Sequence, residues 1–138
     1  MPKKLLVDSD VFFALGVISD ANHLKATHLR QQFFREKRQL STLNLVIFET
    51  ATLVSHRIGQ KEAVIFLTDI FSGEIEVIKL DDEIERKAIE FFKKQTRKNT
   101  SFVDCANMAV MEQFGLTSIF SFDEIYKRNG FKRLGIDR

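Results

Sequence analysis

The feature that most constrains this chain is an alternation. Short apolar runs, some ending directly in an acid, are separated by longer stretches with helical spacing. Lys4–Val7 runs into Asp8, and residues 118–122 run into Asp123. Brief continuous apolar runs mark strands buried on both faces. Further short strands are predicted at residues 39–41, 75–80 and 131–134. Helices are predicted at residues 11–17, from a cap at Asn22 to about Glu36, from a cap at Thr42 to a stop at Gly59, and at residues 61–71, 82–97, 101–114 and 124–128. The second helix carries apolar Leu24, Leu29, Phe33 and Phe34, and the third runs through Leu45, Phe48, Thr52 and Leu53. Ala63, Leu67, Ile70 and Phe71 fall on one face of the fourth, and Ile84, Ala88, Phe91 and Phe92 turn inward on the fifth. Strands alternating with helices predict an α/β fold around a mainly parallel sheet.

At 138 residues the chain fits one domain spanning residues 1–138, with enough length to bury a core without staples. A single cysteine, Cys105, excludes an internal disulfide and fits a reducing compartment. No apolar run approaches the roughly 18 residues that a membrane helix needs, and the N-terminus leads straight into a strand. A cytoplasmic protein without a membrane partner is the resulting expectation. The net charge of +2 is too small to argue for nucleic-acid binding by itself. Its distribution is more informative, because basic residues cluster at residues 35–38, 93–98 and 127–133. Such clusters form either solvated helix faces or a rim for a phosphate backbone.

Four carboxylates fall in mostly apolar surroundings: Asp8, Glu49, Asp104 and Asp123. In parallel α/β folds, ligands sit outside the carboxyl ends of the strands, where Asp8 and Asp123 are predicted to lie. Glu49 has Leu45, Val46 and Leu53 as its helical neighbours, which puts it on an inward face. Asp104 lies three residues after Ser101, and Asn107 one turn further on. Each acid also has a plain structural explanation. Asp8 and Asp123 could cap the helices that follow them, Asp104 could complete a capping box with Ser101, and Glu49 could sit at the edge of its stripe. Brought together, though, they would repel. Two unit charges 4 Å apart cost about 4 kcal/mol at an effective dielectric near 20. A divalent cation relieves that repulsion and points to phosphate chemistry.

The ordered segments LLVDSDVFFAL, LVIFET, SFVDCANMAVMEQFG and SIFSFDEIYKRNGFKRLG resemble a PIN domain of the VapC toxin-like type. The resemblance spans nearly the whole chain. It implies a three-layer α/β/α fold and cleavage of RNA phosphodiester bonds with Mg²⁺ or Mn²⁺. It also implies a homodimer and a small antitoxin protein as inhibitor. On this resemblance Asp8, Glu49, Asp104 and Asp123 are the catalytic acids. Asp8, Asp104 and Asp123 are expected to hold metal, and Glu49 to complete the shell or act as general base. Ser101, Ser121 and Asp10 would support them from behind, although the family usually carries Ser, Thr or Asn at the position of Asp10. Arg97, Lys98, Lys127 and Arg128 are the basic residues expected nearest the RNA. His23, His28 and His56 are scattered and read as surface or packing residues. Cys105 points away from Asp104 on its helix and is not expected to be a nucleophile.

Three other readings compete. The chain could be an RNA-processing nuclease without a toxin role, or a non-catalytic PIN-like scaffold binding RNA or protein. Alternatively, Asp8-Ser9-Asp10-Val11 resembles the opening motif of haloacid-dehalogenase-type phosphatases, with Asp81 and Asp82 as a late acidic pair. That last reading leaves Glu49 and Asp104 without a role.

Overall fold

The structure, a computed structural model, describes residues 3–138. Five strands, β1 (Lys4–Val7), β2 (Gln39–Leu43), β3 (Glu76–Ile78), β4 (Ser118–Phe120) and β5 (Lys132–Arg133), form one sheet. Its order is β3-β2-β1-β4-β5, and every pairing is parallel. The helices between them are α1 (Ser9–Gly16), α2 (His23–Arg35), α3 (Asn44–Arg57), α4 (Gln60–Ser72), α5 (Asp82–Lys94), α6 (Phe102–Phe114) and α7 (Ile125–Arg128).

Side-chain alternation along β1 builds the layers. Leu5 and Val7 pack with Val11 of α1, Leu29 and Phe33 of α2, and Phe120. Leu6 faces the other way, into a cluster with Ile84 and Ala88 of α5 and the buried side of α6. The sheet is thus covered on both faces, the three-layer α/β/α arrangement. Helix α6 is apolar almost all round, and Cys105 to Met111 are all buried, so it fills the centre of its layer. Gly115 ends it with φ +67°, a left-handed conformation that glycine adopts without a Cβ penalty. Among the described residues no helix is long and apolar enough to cross a membrane.

Several boundaries and faces differ from expectation. Helix α1 begins two residues early because Asp8 caps it, accepting from Ser9 N at 2.8 Å. Thr42 is not a helix cap. It lies in β2, and its hydroxyl donates across the sheet to Val7 O at 2.9 Å, so α3 starts at Asn44. Helix α5 stops at Lys94, not at residue 97, where Gln95 turns extended. Leu24 and Phe34 on α2, Phe48 on α3, Phe71 on α4 and Phe92 on α5 point outward. On α3 the buried residues are Val46, Ile47, Thr50 and Val54 instead. In a helix hydrophobic on more than one side, periodicity does not decide which stripe faces the core.

Candidate active site

The chain order of the sheet makes a crevice. From β1 the chain winds outward through β2 to β3, then crosses back to β4 on β1's other side. Strands β1 and β4 pair at Val7 and Phe120, and Asp8 N donates to Phe120 O at 3.0 Å. Strand order reverses at this seam, the place where open α/β sheets bind ligands.

Asp8 is the hub of the seam, with only 2% of its surface exposed. Its Oδ1 accepts from Ser9 N at 2.8 Å and from Asn107 Nδ2 at 3.1 Å. Its Oδ2 accepts from Ser121 Oγ at 2.9 Å and from Tyr126 Oη at 2.8 Å. Four donors use the lone pairs of one carboxylate. Burial still dominates and raises the Asp8 pKa, with the Asp123 charge adding to it. A strand-end acid this deeply held is more than a helix cap.

The other acids surround this hub. Asp104, in the first turn of α6, does not complete a capping box. Its Oδ1 faces Tyr126 Oη at 3.2 Å. Burial, then the charges of Asp8 and Asp123, push its carboxyl up to about 8. Glu49 on α3 keeps its Oε2 buried without a hydrogen-bond partner. Its pKa is raised by burial first, then by Asp8, with Asp123 adding to the effect. Asp123 is more open, accepting from Ile125 N at 3.0 Å at the start of α7. Its charge is felt by Asp8, Asp10, Glu49 and Asp104 alike. Acids from four distant segments therefore share one electrostatic neighbourhood.

Of the supporting residues, Ser121 and Asp10 lie in the Asp8 cluster. Ser121 is fully buried, donates to Asp8 and accepts from Asp123 N at 3.1 Å. Asp10 Oδ2 accepts from Phe122 N at 2.9 Å and lies 3.3 Å from the Ser121 hydroxyl. Burial, then the Asp8 charge, carry Asp10 up to about 7. Ser101 does otherwise: its hydroxyl caps α6 by accepting from Val103 N at 3.1 Å, with no hydrogen bond to Asp104. Arg97, Lys98, Lys127 and Arg128 are all exposed. A reciprocal amide pair joins their two segments, Gln95 Nε2 to Asn129 Oδ1 at 2.9 Å and Asn129 Nδ2 to Gln95 Oε1 at 3.2 Å. The two basic groups thus share one edge.

Sequence reasoning missed Tyr126, which is wholly buried and bridges Asp8 and Asp104. One signal for it existed: the chain has 14 Phe and a single Tyr. Burial, then the neighbouring acid charges, hold its phenol protonated well above the ordinary range, so it remains a donor. Cys105 is buried and its thiol is pushed up to about 11, the opposite of an activated nucleophile. His23 Nδ1 is 2.7 Å from Ala14 O, a packing role. The phosphatase-like acidic pair lies elsewhere. Asp81 caps α5 through Ile84 N, beyond β3 and two strands from Asp8.

The donor set suits a hard divalent cation: all oxygen, all carboxylate, with one buried oxygen of Glu49 unpaired. Among the described residues no three His, Cys, Asp or Glu are gathered into a ready-made metal cage. Mg²⁺ does not need one, since it keeps several waters and takes one or two carboxylates plus substrate phosphate.

The PIN domain family model matches residues 5–132. The 23S rRNA-specific endonuclease VapC20, found in two strains of Mycobacterium tuberculosis, is 30% identical over 127 residues. The match covers 92% of this chain and 95% of that protein. A VapC ribonuclease of Archaeoglobus fulgidus is 31% identical over 121 residues, 86% of this chain and 76% of that protein. The crystal structure of M. tuberculosis VapC20, described as a sarcin–ricin loop cleaving toxin, superposes with a TM-score of 0.81, covering 92% of this chain and 95% of that one. A toxin–antitoxin complex from Klebsiella pneumoniae shares the fold at 12% identity, with a TM-score of 0.59 and coverage of 96% and 92%.

Proposed function

This chain belongs to the PIN domain family, and we propose that it is a VapC-type endoribonuclease, the toxin of a toxin–antitoxin pair, acting as one nuclease domain with Mg²⁺ or Mn²⁺. The observation that carries the reading is the convergence of Asp8, Glu49, Asp104 and Asp123 on the seam between β1 and β4. RNA as substrate is supported by relatives that are themselves ribonucleases. A small antitoxin as partner is supported by VapC20 being described as a toxin. A homodimer is the proposed assembly, supported by exposed Leu24, Phe34, Phe48, Val64 and Ile65 on α2, α3 and α4.

In this mechanism Asp8, Asp104 and Asp123 would hold the cation, directly or through water. Asp8 gains a free lone pair when the Ser121 hydroxyl turns to Asp10, only 3.3 Å away. A divalent cation lowers the pKa of water and neutralises charge growing on the phosphate oxygens. Glu49 takes the proton from the attacking water through its carboxylate. A carboxyl with a raised pKa is a stronger base than an ordinary one. Water attacks phosphorus in line with the 3′ oxygen, and the P–O3′ bond breaks. The products carry a 5′-phosphate and a 3′-hydroxyl, the leaving oxygen taking a proton from solvent. Arg97, Lys98, Lys127 and Arg128 grip the flanking phosphates along their shared edge.

The test is cleavage of a labelled ribosomal RNA fragment in Mg²⁺ against EDTA, with Asp104→Asn beside the wild type. Loss of cleavage in both controls is expected. Cleavage that persists in chelator defeats the metal-dependent reading. Tight RNA binding without cleavage in any divalent cation would favour the scaffold.

A further inference from the structure

Tyr126 is the member of the cluster to which the proposed chemistry assigns no work. A ring needed only for packing could be Phe, as the chain uses at 14 other positions. A buried phenol instead needs partners for its hydroxyl. Here they are acids from opposite parts of the chain, Asp8 Oδ2 at 2.8 Å and Asp104 Oδ1 at 3.2 Å. Asn107, also fully buried, donates through one nitrogen to both Asp8 Oδ1 at 3.1 Å and Tyr126 Oη at 3.0 Å.

That contact sets a direction. An amide nitrogen has only hydrogens to offer, so Tyr126 Oη accepts from Asn107 and must send its own proton to a carboxylate. Reversed, the Asn107 amide would set its carbonyl oxygen against the Asp8 carboxylate. The relay runs from α6 through α7 to the end of β1, linking side chains from three elements.

We infer that Tyr126 is a positioning residue: its hydroxyl, aimed by Asn107 and within hydrogen-bond reach of both acids, holds the Asp8 and Asp104 carboxylates as one fixed pair. The inference rests on the metal-dependent reading above. Tyr126 acts through the two acids, not on substrate. Outer-shell hydrogen bonds of this kind typically change metal affinity or activity about 10–100-fold when removed. A hydroxyl serving stability alone would leave cation affinity untouched.

The test compares wild type with Tyr126→Phe, which keeps the ring, using Mg²⁺ as the probe. The Mg²⁺ midpoint is read twice, from the rise in Tm and from the rate of RNA cleavage, with far-UV circular dichroism checking the fold. Both midpoints should move to higher Mg²⁺ by about 10-fold or more in the variant. The chain has no Trp and one Tyr, so native emission reports on this one ring. Wild-type emission should change saturably with Mg²⁺, at the midpoint given by Tm. Equal midpoints in wild type and variant, or an emission indifferent to bound Mg²⁺, would overturn the inference. A wild type that does not respond to Mg²⁺ at all removes the metal-dependent reading and this inference together. If Tyr126→Phe does not fold, Asn107→Ala leaves the phenol in place but unaimed, and also removes one donor from Asp8. A severalfold rise in its Mg²⁺ midpoint is then expected, and an unchanged midpoint refutes the relay.

Discussion

Replacing Asp104 by Asn should make the metal-free protein more stable while abolishing its activity. The Asp104 carboxyl goes from 3.8 to about 8 on folding, chiefly through burial and then through the Asp8 and Asp123 charges. Between those values the folded chain binds a proton that the unfolded chain has released, so stability falls as pH rises. Each pK unit corresponds to about 1.36 kcal/mol, so the cost at pH 7 is at most about 4 kcal/mol, and about 1.6 kcal/mol at pH 5. Charges at this seam are shared among several acids and relax against one another, so the part belonging to Asp104 alone is smaller than that difference. Asparagine has no proton to hold, and its amide oxygen can still accept from Tyr126. Urea denaturation followed by circular dichroism at pH 5, 6, 7 and 8 in EDTA reads the effect. The wild type should lose stability across this range. Asp104→Asn should show a shallower slope and exceed the wild type at pH 7, by less than about 4 kcal/mol. Saturating Mg²⁺ should reverse the order, because only the wild type gains the full binding energy. Parallel pH profiles in EDTA would refute the claim that folding raises the Asp104 pKa through burial and its neighbours' charges.

Two further outcomes follow from the structure. Phe120, fully buried and edge-on to Phe33 with centroids 4.9 Å apart, should cost about 3–5 kcal/mol in urea denaturation when changed to Ala. Changing Arg97 and Lys98 to Ala together should reduce the slope of log affinity against log salt for RNA by about 1–2 while sparing the fold; an unchanged slope would take this edge out of the RNA path.

The layered plan was readable from sequence because both faces of β1 and β4 are covered, which leaves uninterrupted apolar runs. Asp8 and Asp123 could be grouped because parallel strands deliver their ends to one side of the sheet. Glu49 stood out as a carboxylate set among apolar neighbours. What sequence could not reveal were contacts made across the fold. Thr42 looks like a helix cap until β1 lies beside it to accept its proton. Ser101 and Ser121 are the same residue type near an acid, yet one is consumed by its own helix and the other reaches a carboxylate 113 positions away. Tyr126 announces itself only by rarity, since its partners come from the first strand and the sixth helix. The outward Phe34, Phe48, Phe71 and Phe92 misled because hydrophobic spacing reports a stripe, not what lies opposite it.

The seam between β1 and β4 also governs timing during synthesis. The contacts that hold Asp8 join it to residues 99, 113 and 118 positions later. While a ribosome is still making the first hundred residues, β1 lacks its β4 neighbour and the acids have no common meeting point. At about 5–20 residues per second, that interval lasts several seconds per chain. A nascent copy therefore lacks the assembled acid cluster until β4 and α7 have been made.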